Sequence, residues 1–332
     1  MTYSTGNTIV ATDYNGFVAT TVGANINATW NTAWGQTALA QVAVAGTVTA
    51  TQWSTLVSTL SSMGSQSNTA ITSRTSPVAG NIISVLANVN TDITNCYNNR
   101  ANAVALGTQN TAWTGTASFT TNVGNTAGNT RGTWTATFTD TMTFANAAAA
   151  TAFFGAGGLV KTQFSKTSTG TVGDTEWNTF IANVVANSGV YLSGTAASHT
   201  VAGTTYTGVT KFGGSGTPTT LATTTTFGTL TTTPTTIYKQ FDTSAAYSAN
   251  YLQIAANVNA NASPTALTLV TTWVQANTAN VGSNTTITGG TATTGITFGS
   301  GAATVVTYLP PSSTYLSPVW GTPTVASTVA NT

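Results

Sequence analysis

The stretch Trp134-Thr-Ala-Thr-Phe-Thr-Asp-Thr-Met-Thr-Phe144 carries threonine at every second position from 135 to 143. The alternate positions hold Trp134, Ala136, Phe138, Met142 and Phe144, with Asp140 the single polar interruption. Successive side chains of a β-strand point to opposite faces, so a period of two in polarity marks a strand with one side on a core. Threonine is β-branched and suits a pleated surface. The segment reads as a strand whose apolar side packs inward while its threonine side is hydrated or paired with a neighbour.

The same period governs most of the chain after Gly107. Further strands are expected at 117–123, 159–165, 204–212, 221–231, 235–242, 250–258, 266–275, 284–289 and 302–308, separated by clusters of Gly, Asn, Ser and Pro. Many short strands between turn clusters argue for an antiparallel sandwich, not a parallel α/β core. One helix is expected among them, with Asp174 as its N-cap and Trp177, Phe180, Ile181 and Val184 as its apolar face. The stretch 213–236 is nearly all Thr, Gly, Ser and Pro, with Phe227 and Leu230 isolated in it, and reads as an extended arm or loop-rich hairpin.

Before Gly107 the period is helical. Thr49 and Gln52 form a capping-box pattern, followed by Trp53, Leu56, Val57, Leu60 and Met63, which predicts an amphipathic helix ending near Gly64. A second helix is expected to start around Ser76-Pro77 and to place Ile82, Leu86, Val89, Ile93 and Cys96 or Tyr97 on one stripe. The two would pack as an antiparallel pair. The fold class is therefore α+β: a helical assembly segment over 1–107, then an antiparallel β-sandwich-like region over 108–332 with one packed helix.

Only 4% of the 332 residues are charged, against about 25% in an ordinary domain. The thirteen charges form no run, so there is no electrostatic footprint for nucleic acid. The hydrophobic share is 41%, enough to bury a core. A polar surface must then be built from Thr, Ser, Asn and Gln. With a formal net charge of +1, such a surface has little self-repulsion, and a homo-oligomer is expected. No apolar run is long enough for a membrane helix. The opening Met1-Thr-Tyr-Ser-Thr-Gly lacks the basic and apolar regions of a secretory signal. The expectation is a protein assembled in the cytoplasm and released by lysis, or one whose leader has been removed.

Candidate chemistry is sparse. His199 is the single histidine and lies in a loop or strand-edge context; no Gly-x-Ser-x-Gly elbow accompanies it. Asp174 and Glu176 are the one close pair of acids, as a glycosidase would require, but acids in the first turn of a helix are accounted for by its dipole. The glycine-rich Phe153-Phe-Gly-Ala-Gly-Gly158 lacks the Lys-Ser/Thr of a phosphate loop. Cys96 stands alone and reads as a buried small hydrophobe. No catalytic, cofactor-binding or metal-binding residue is assigned. Among the aromatic residues, Trp53, Trp134 and Trp177 are expected in the core, which leaves Tyr206 or Tyr315 for receptor contact.

Three stretches together resemble a family of virion structural proteins of cyanophages and other marine tailed phages. The first is Ile9-Val-Ala-Thr-Asp-Tyr-Asn-Gly16 with Trp34-Gly-Gln36 and Val48-Thr-Ala-Thr-Gln-Trp-Ser-Thr-Leu56. The second is Phe153-Phe-Gly-Ala-Gly-Gly-Leu-Val-Lys161 with Asp174 to Trp177 downstream, and the third runs from Leu309-Pro-Pro-Ser-Ser to Trp320-Gly-Thr-Pro-Thr-Val325. Gly155 stands where the family pattern carries Asn, and 213–236 is an insertion. The resemblance implies a subunit of the tail, baseplate, neck or fibre, partnered by itself, by other virion proteins and by a host-surface glycan, with no catalytic residues to carry over. The alternative is a secreted or surface-layer adhesin that binds glycans. A third reading, a polysaccharide depolymerase, would rest on Asp174, Glu176 or His199.

Overall fold

The computed structural model describes residues 11–19, 23–76, 78, 88–100, 110–117, 134–166, 172–185, 190–193, 199–201, 204–206, 210–212, 217–218, 227, 230–244, 247–276 and 302–331. The helices are α1 (Ala11–Val18), α2 (Ala50–Gln66), α3 (Val89–Asn98), α4 (Ala147–Gly155) and α5 (Val172–Val185), with a π-helical turn at Ala28–Ala33. The strands are β1 (Asn110–Ala117), β2 (Trp134–Thr143), β3 (Leu159–Ser165), β4 (Val190–Ser193), β5 (His199–Val201), β6 (Thr204–Tyr206) and β7 (Thr210–Phe212). They continue as β8 (Thr217–Pro218), β9 (Thr235–Phe241), β10 (Tyr251–Val258), β11 (Ala266–Gln275), β12 (Ala302–Leu309) and β13 (Thr324–Asn331). No helix among the described residues is long and apolar enough to cross a membrane.

The α+β class holds. Five strands pair in the order β1-β12-β3-β4-β7 and six in the order β13-β2-β11-β10-β9-β8, all antiparallel. The sheets meet through aromatic side chains: Phe164 of β3 lies edge-on to Trp273 of β11, 6.3 Å between ring centroids. Trp177 of α5 stacks on the same Trp273 at 5.9 Å, so α5 bridges the two sheets while it lies against β3. At the edges, β1 runs beside β13 and β7 beside β8, so each sheet's edge is met by an edge of the other. Such closure is one way to keep strand edges from templating aggregation.

In β2 the alternation is regular. Ala136, Phe138, Asp140 and Met142 are buried while the threonines between them are half-exposed or exposed. β2 is a central strand paired on both sides, by β11 and β13. The expected strands 159–165 and 266–275 coincide with β3 and β11, and 235–242, 250–258 and 302–308 match β9, β10 and β12 within one residue. The expected 204–212 is realised as two short strands, β6 and β7, in different sheets. Of the expected strand 117–123 only Ala117, the last residue of β1, is described; the expected strand at 284–289 and most of 221–231 lie outside the described residues. In the expected arm, Phe227 and Leu230 are buried, with Phe227 packed on Phe154 at 4.9 Å.

The capping box forms as written: Gln52 N donates to Thr49 Oγ1 at 3.2 Å and Thr49 N donates to Gln52 Oε1 at 2.8 Å. α2 continues two residues past Gly64 and buries Trp53, Leu56, Val57, Leu60 and Met63. The second helix differs from the expectation. α3 begins at Val89, because Asn88 takes a left-handed backbone (φ 63°) that breaks any single stripe from Ile82 to Cys96. Pro77, Ile82 and Leu86 lie outside the described residues. Val89, Ile93 and Cys96 pack into the core that α2 enters, and that core is continuous with the one between the sheets. A buried ion pair, Arg74 to Asp92 at 2.5 Å, fastens the segment after α2 to α3. α5 starts at Val172, two residues before the expected cap, so Asp174 lies inside the first turn.

Candidate functional site

Trp34 and Gln36, the glycine-rich end of α4 and Ser317 meet at one junction, and glycine makes the approach possible. α4 starts at Asn146, whose Oδ1 accepts from Ala149 N at 2.9 Å, and its alanines and phenylalanines pack inward. It ends in a Schellman turn: Gly158 N donates to Phe153 O at 2.8 Å, Gly157 N to Phe154 O at 3.2 Å, and Gly157 has φ 98°. The glycine-rich 155–158 run is thus a helix stop. Trp34, delivered by the π-helical turn, donates its indole N–H to Gly155 O at 3.0 Å and to Arg100 O at 3.1 Å. A Cβ at Gly155 would lie 2.1 Å from Ala33 O. Position 155 therefore has no room for any side chain.

Gln36 completes the junction. Its Nε2 donates to Ser317 O at 2.9 Å and its Oε1 accepts from Ser317 N at 2.9 Å, so the buried carboxamide pairs with a backbone as another strand would. Asn15 holds Val42 in the same way at 2.8 Å for both bonds, and Asn27 holds Leu39 at 2.9 Å. From α2, Gln66 Nε2 donates to Ala156 O at 3.2 Å. Chemically this junction binds chain to chain; it presents no nucleophile, acid or base.

The carboxyl groups are distributed differently from the expectation. Glu176 does more than complement a helix dipole, because it lies close enough to Asp242, just beyond β9, to raise that carboxyl. Burial, then a donor at Ser244 N that works against it, then the charge of Glu176 set the Asp242 carboxyl at about 6. Beside it, Trp177 Nε1 donates to Gln275 Oε1 at 2.7 Å, Asn250 Nδ2 to the same oxygen at 2.9 Å, and the Tyr238 hydroxyl to Gln240 Oε1. Asp140 is the other displaced acid, 2% exposed on the core face of β2; burial raises it to about 6, against the Ser327 hydroxyl that bonds its Oδ1 at 2.6 Å. Its Oδ2 has no hydrogen-bond partner.

His199 lies on β5, and Asp174 in the first turn of α5; their side chains are outside the described residues. Cys96 is buried and free, and burial pushes its thiol up to about 11, as fits a core residue. Trp53 and Trp177 are in the core as expected; the side chains of Trp134 and Tyr206 are outside the described residues. Tyr315 is 39% exposed. Among the described residues no three His, Cys, Asp or Glu side chains cluster as metal ligands.

One surface feature escaped the sequence reading. On the outer face of the six-stranded sheet, Phe241 of β9 (49% exposed) and Tyr251 of β10 sit side by side in register, rings 5.5 Å apart and tilted by 58°. The Lys239 ammonium lies 3.7 Å from the Tyr251 ring centre and 4.7 Å from that of Phe241. The signal was present in the alternation Lys239, Phe241 on an expected strand, but which face points to solvent depends on tertiary packing.

Compared with family models, with curated proteins and with solved structures, the chain finds no significant match.

Proposed function

We propose that the protein is a structural subunit of a tailed-phage virion, in the tail, baseplate, neck or fibre region, acting through assembly with copies of itself and with other virion proteins. The observation that carries this reading is the outer face of the six-stranded sheet. Across β13, β2, β11 and β10 its ranks read Ala326-Thr141-Thr268-Asn257, Thr328-Thr139-Val270-Ala255 and Ala330-Thr137-Thr272-Gln253. Thr141 and Thr268 bond to each other through their hydroxyls at 3.1 Å. Lys239 at one corner is the single charge on that face among the described residues. A broad face of hydroxyls, methyls and amides offers no charge repulsion to a second protein surface, and its polar groups can exchange water for hydrogen bonds across an interface. The phage setting is supported by the resemblance, whose motif residues this chain uses to close its own fold.

The test is sedimentation of the purified chain together with Thr139→Lys, which places a charge at the centre of the face. The wild type is expected to sediment as an oligomer and the variant, with unchanged circular dichroism, as a smaller species. A wild type that stays monomeric and is missing from purified phage particles by mass spectrometry would end the reading.

The second reading, a surface adhesin binding glycans, is favoured by the exposed Phe241–Tyr251 pair. It predicts export of the chain and no incorporation into particles.

A further inference from the structure

The geometry points to a binding site for an acidic carbohydrate, a sugar carrying a carboxylate, on Phe241, Tyr251 and Lys239. Soluble proteins place large aromatic side chains mostly inside, and this chain does so with Phe138, Phe153, Phe154, Trp177 and Trp273. Phe241 departs from that pattern, with Tyr251 half-buried beside it on the adjacent strand and in direct register, so the two rings form one surface. Aromatic faces are electron-rich and attract the slightly positive C–H groups on the apolar side of a pyranose ring. The Lys239 ammonium caps the two rings, 5.5 Å apart and tilted by 58°, so a sugar would meet the exposed part of Phe241 with its carboxylate at that ammonium.

The surroundings supply the rest of a sugar site. In the next rank along the same face, Lys239 is followed by Gln253, Thr272 and Thr137, in register. Gln and Thr both donate and accept, which matches the mixed donor and acceptor character of hydroxyl groups. The ammonium held over the two rings is fixed by the cation–π attraction and keeps its outward N–H donors for an acceptor. Charge decides the class of ligand. A single cation on an otherwise neutral face complements one carboxylate per bound sugar. It is too little for a nucleic acid, whose phosphates demand several cations at once. The site takes the β9–β10 corner of the face whose centre, at Thr139, the proposed assembly covers; its failure would leave the assembly reading untouched.

The experiment is affinity electrophoresis of the full chain in native gels containing polygalacturonate or hyaluronate, with a neutral hydroxyethylcellulose gel as reference. The wild type is expected to be retarded by at least one acidic polymer and not by the neutral one. Phe241→Ala and Lys239→Gln should each weaken that retardation by roughly tenfold in apparent dissociation constant, while Lys239→Arg keeps most of it. Both side chains point outward, and unchanged thermal melting confirms the fold of each variant; if Phe241→Ala fails to fold, Lys239→Gln decides. No retardation of the wild type by either acidic polymer would overturn the proposal. So would equal retardation in the neutral gel, or retardation that both variants retain.

Discussion

The Gln36 carboxamide makes both hydrogen bonds of a strand neighbour to Ser317, a residue 281 positions later in the chain. Gln36 is 3% exposed while Ser317 is exposed, so loss of the carboxamide leaves the Ser317 N–H and C=O to be partnered by water. Gln36→Ala should cost about 1 kcal/mol of unfolding free energy by urea titration, the net worth of the lost hydrogen bonds. A loss below about 0.5 kcal/mol would show that solvent replaces the clamp and that the junction is held by packing alone.

Gly155 sets the closeness of the same junction. In Gly155→Ala the new methyl would overlap the Ala33 carbonyl oxygen, 2.1 Å away, and that obstacle is backbone. The variant should lose roughly 3 kcal/mol or more, or fail to fold, as overpacked sites without room to relax do. Adding Ala33→Gly should not restore stability, because the oxygen remains. Rescue by that second change, seen in thermal melts, would place the clash elsewhere.

Stability should fall as pH rises through the weakly acidic range. Asp140 sits near 6 in the folded chain and near the ordinary 3.8 when unfolded, so between these values the folded state holds a proton that the unfolded state releases. Stability from this group is therefore full in acid, is lost as pH climbs towards 6, and stays reduced above it. The difference corresponds to ~3 kcal/mol as an order of magnitude. Asp140→Asn should melt higher than wild type at pH 8 and lose part of the pH slope, the remainder belonging to Asp242. Parallel slopes for the two proteins would show that Asp140 does not titrate in this window.

Much of the fold is legible locally because it is specified locally. Thr49 and Gln52 are three residues apart and cap α2 without help from the rest of the chain. β2 alternates large apolar with small polar side chains, a contrast that one window of sequence reveals. β13 offers no such contrast: Thr-Val-Ala-Ser-Thr-Val-Ala-Asn is small and mostly exposed, and it becomes a strand because β2 presents an edge to it. α4 was hidden by its composition, since an alanine run followed by glycines has no amphipathic stripe, and only its Schellman stop explains the glycines.

The site was less legible for a different reason. Nothing near Glu176 announces Asp242, nothing near Gln36 announces Ser317, and nothing near Ser327 announces Asp140; each partnership is created by topology. The same holds for solvent exposure of Phe241, which follows from the direction that β9 faces. Residue type said what these groups can do, and the sheet order decided what they do it to.

The Gln36 clamp also bears on how the protein is made. A ribosome emits Trp34 and Gln36 before their partners in α4 and at Ser317, the last 281 residues later. The helical segment is left waiting, with an indole N–H and a carboxamide unengaged, until residue 317 has emerged. Contacts spanning so much sequence close slowly. Closure of the junction is thereby tied to synthesis through Ser317, and a chain broken off before it keeps its junction open.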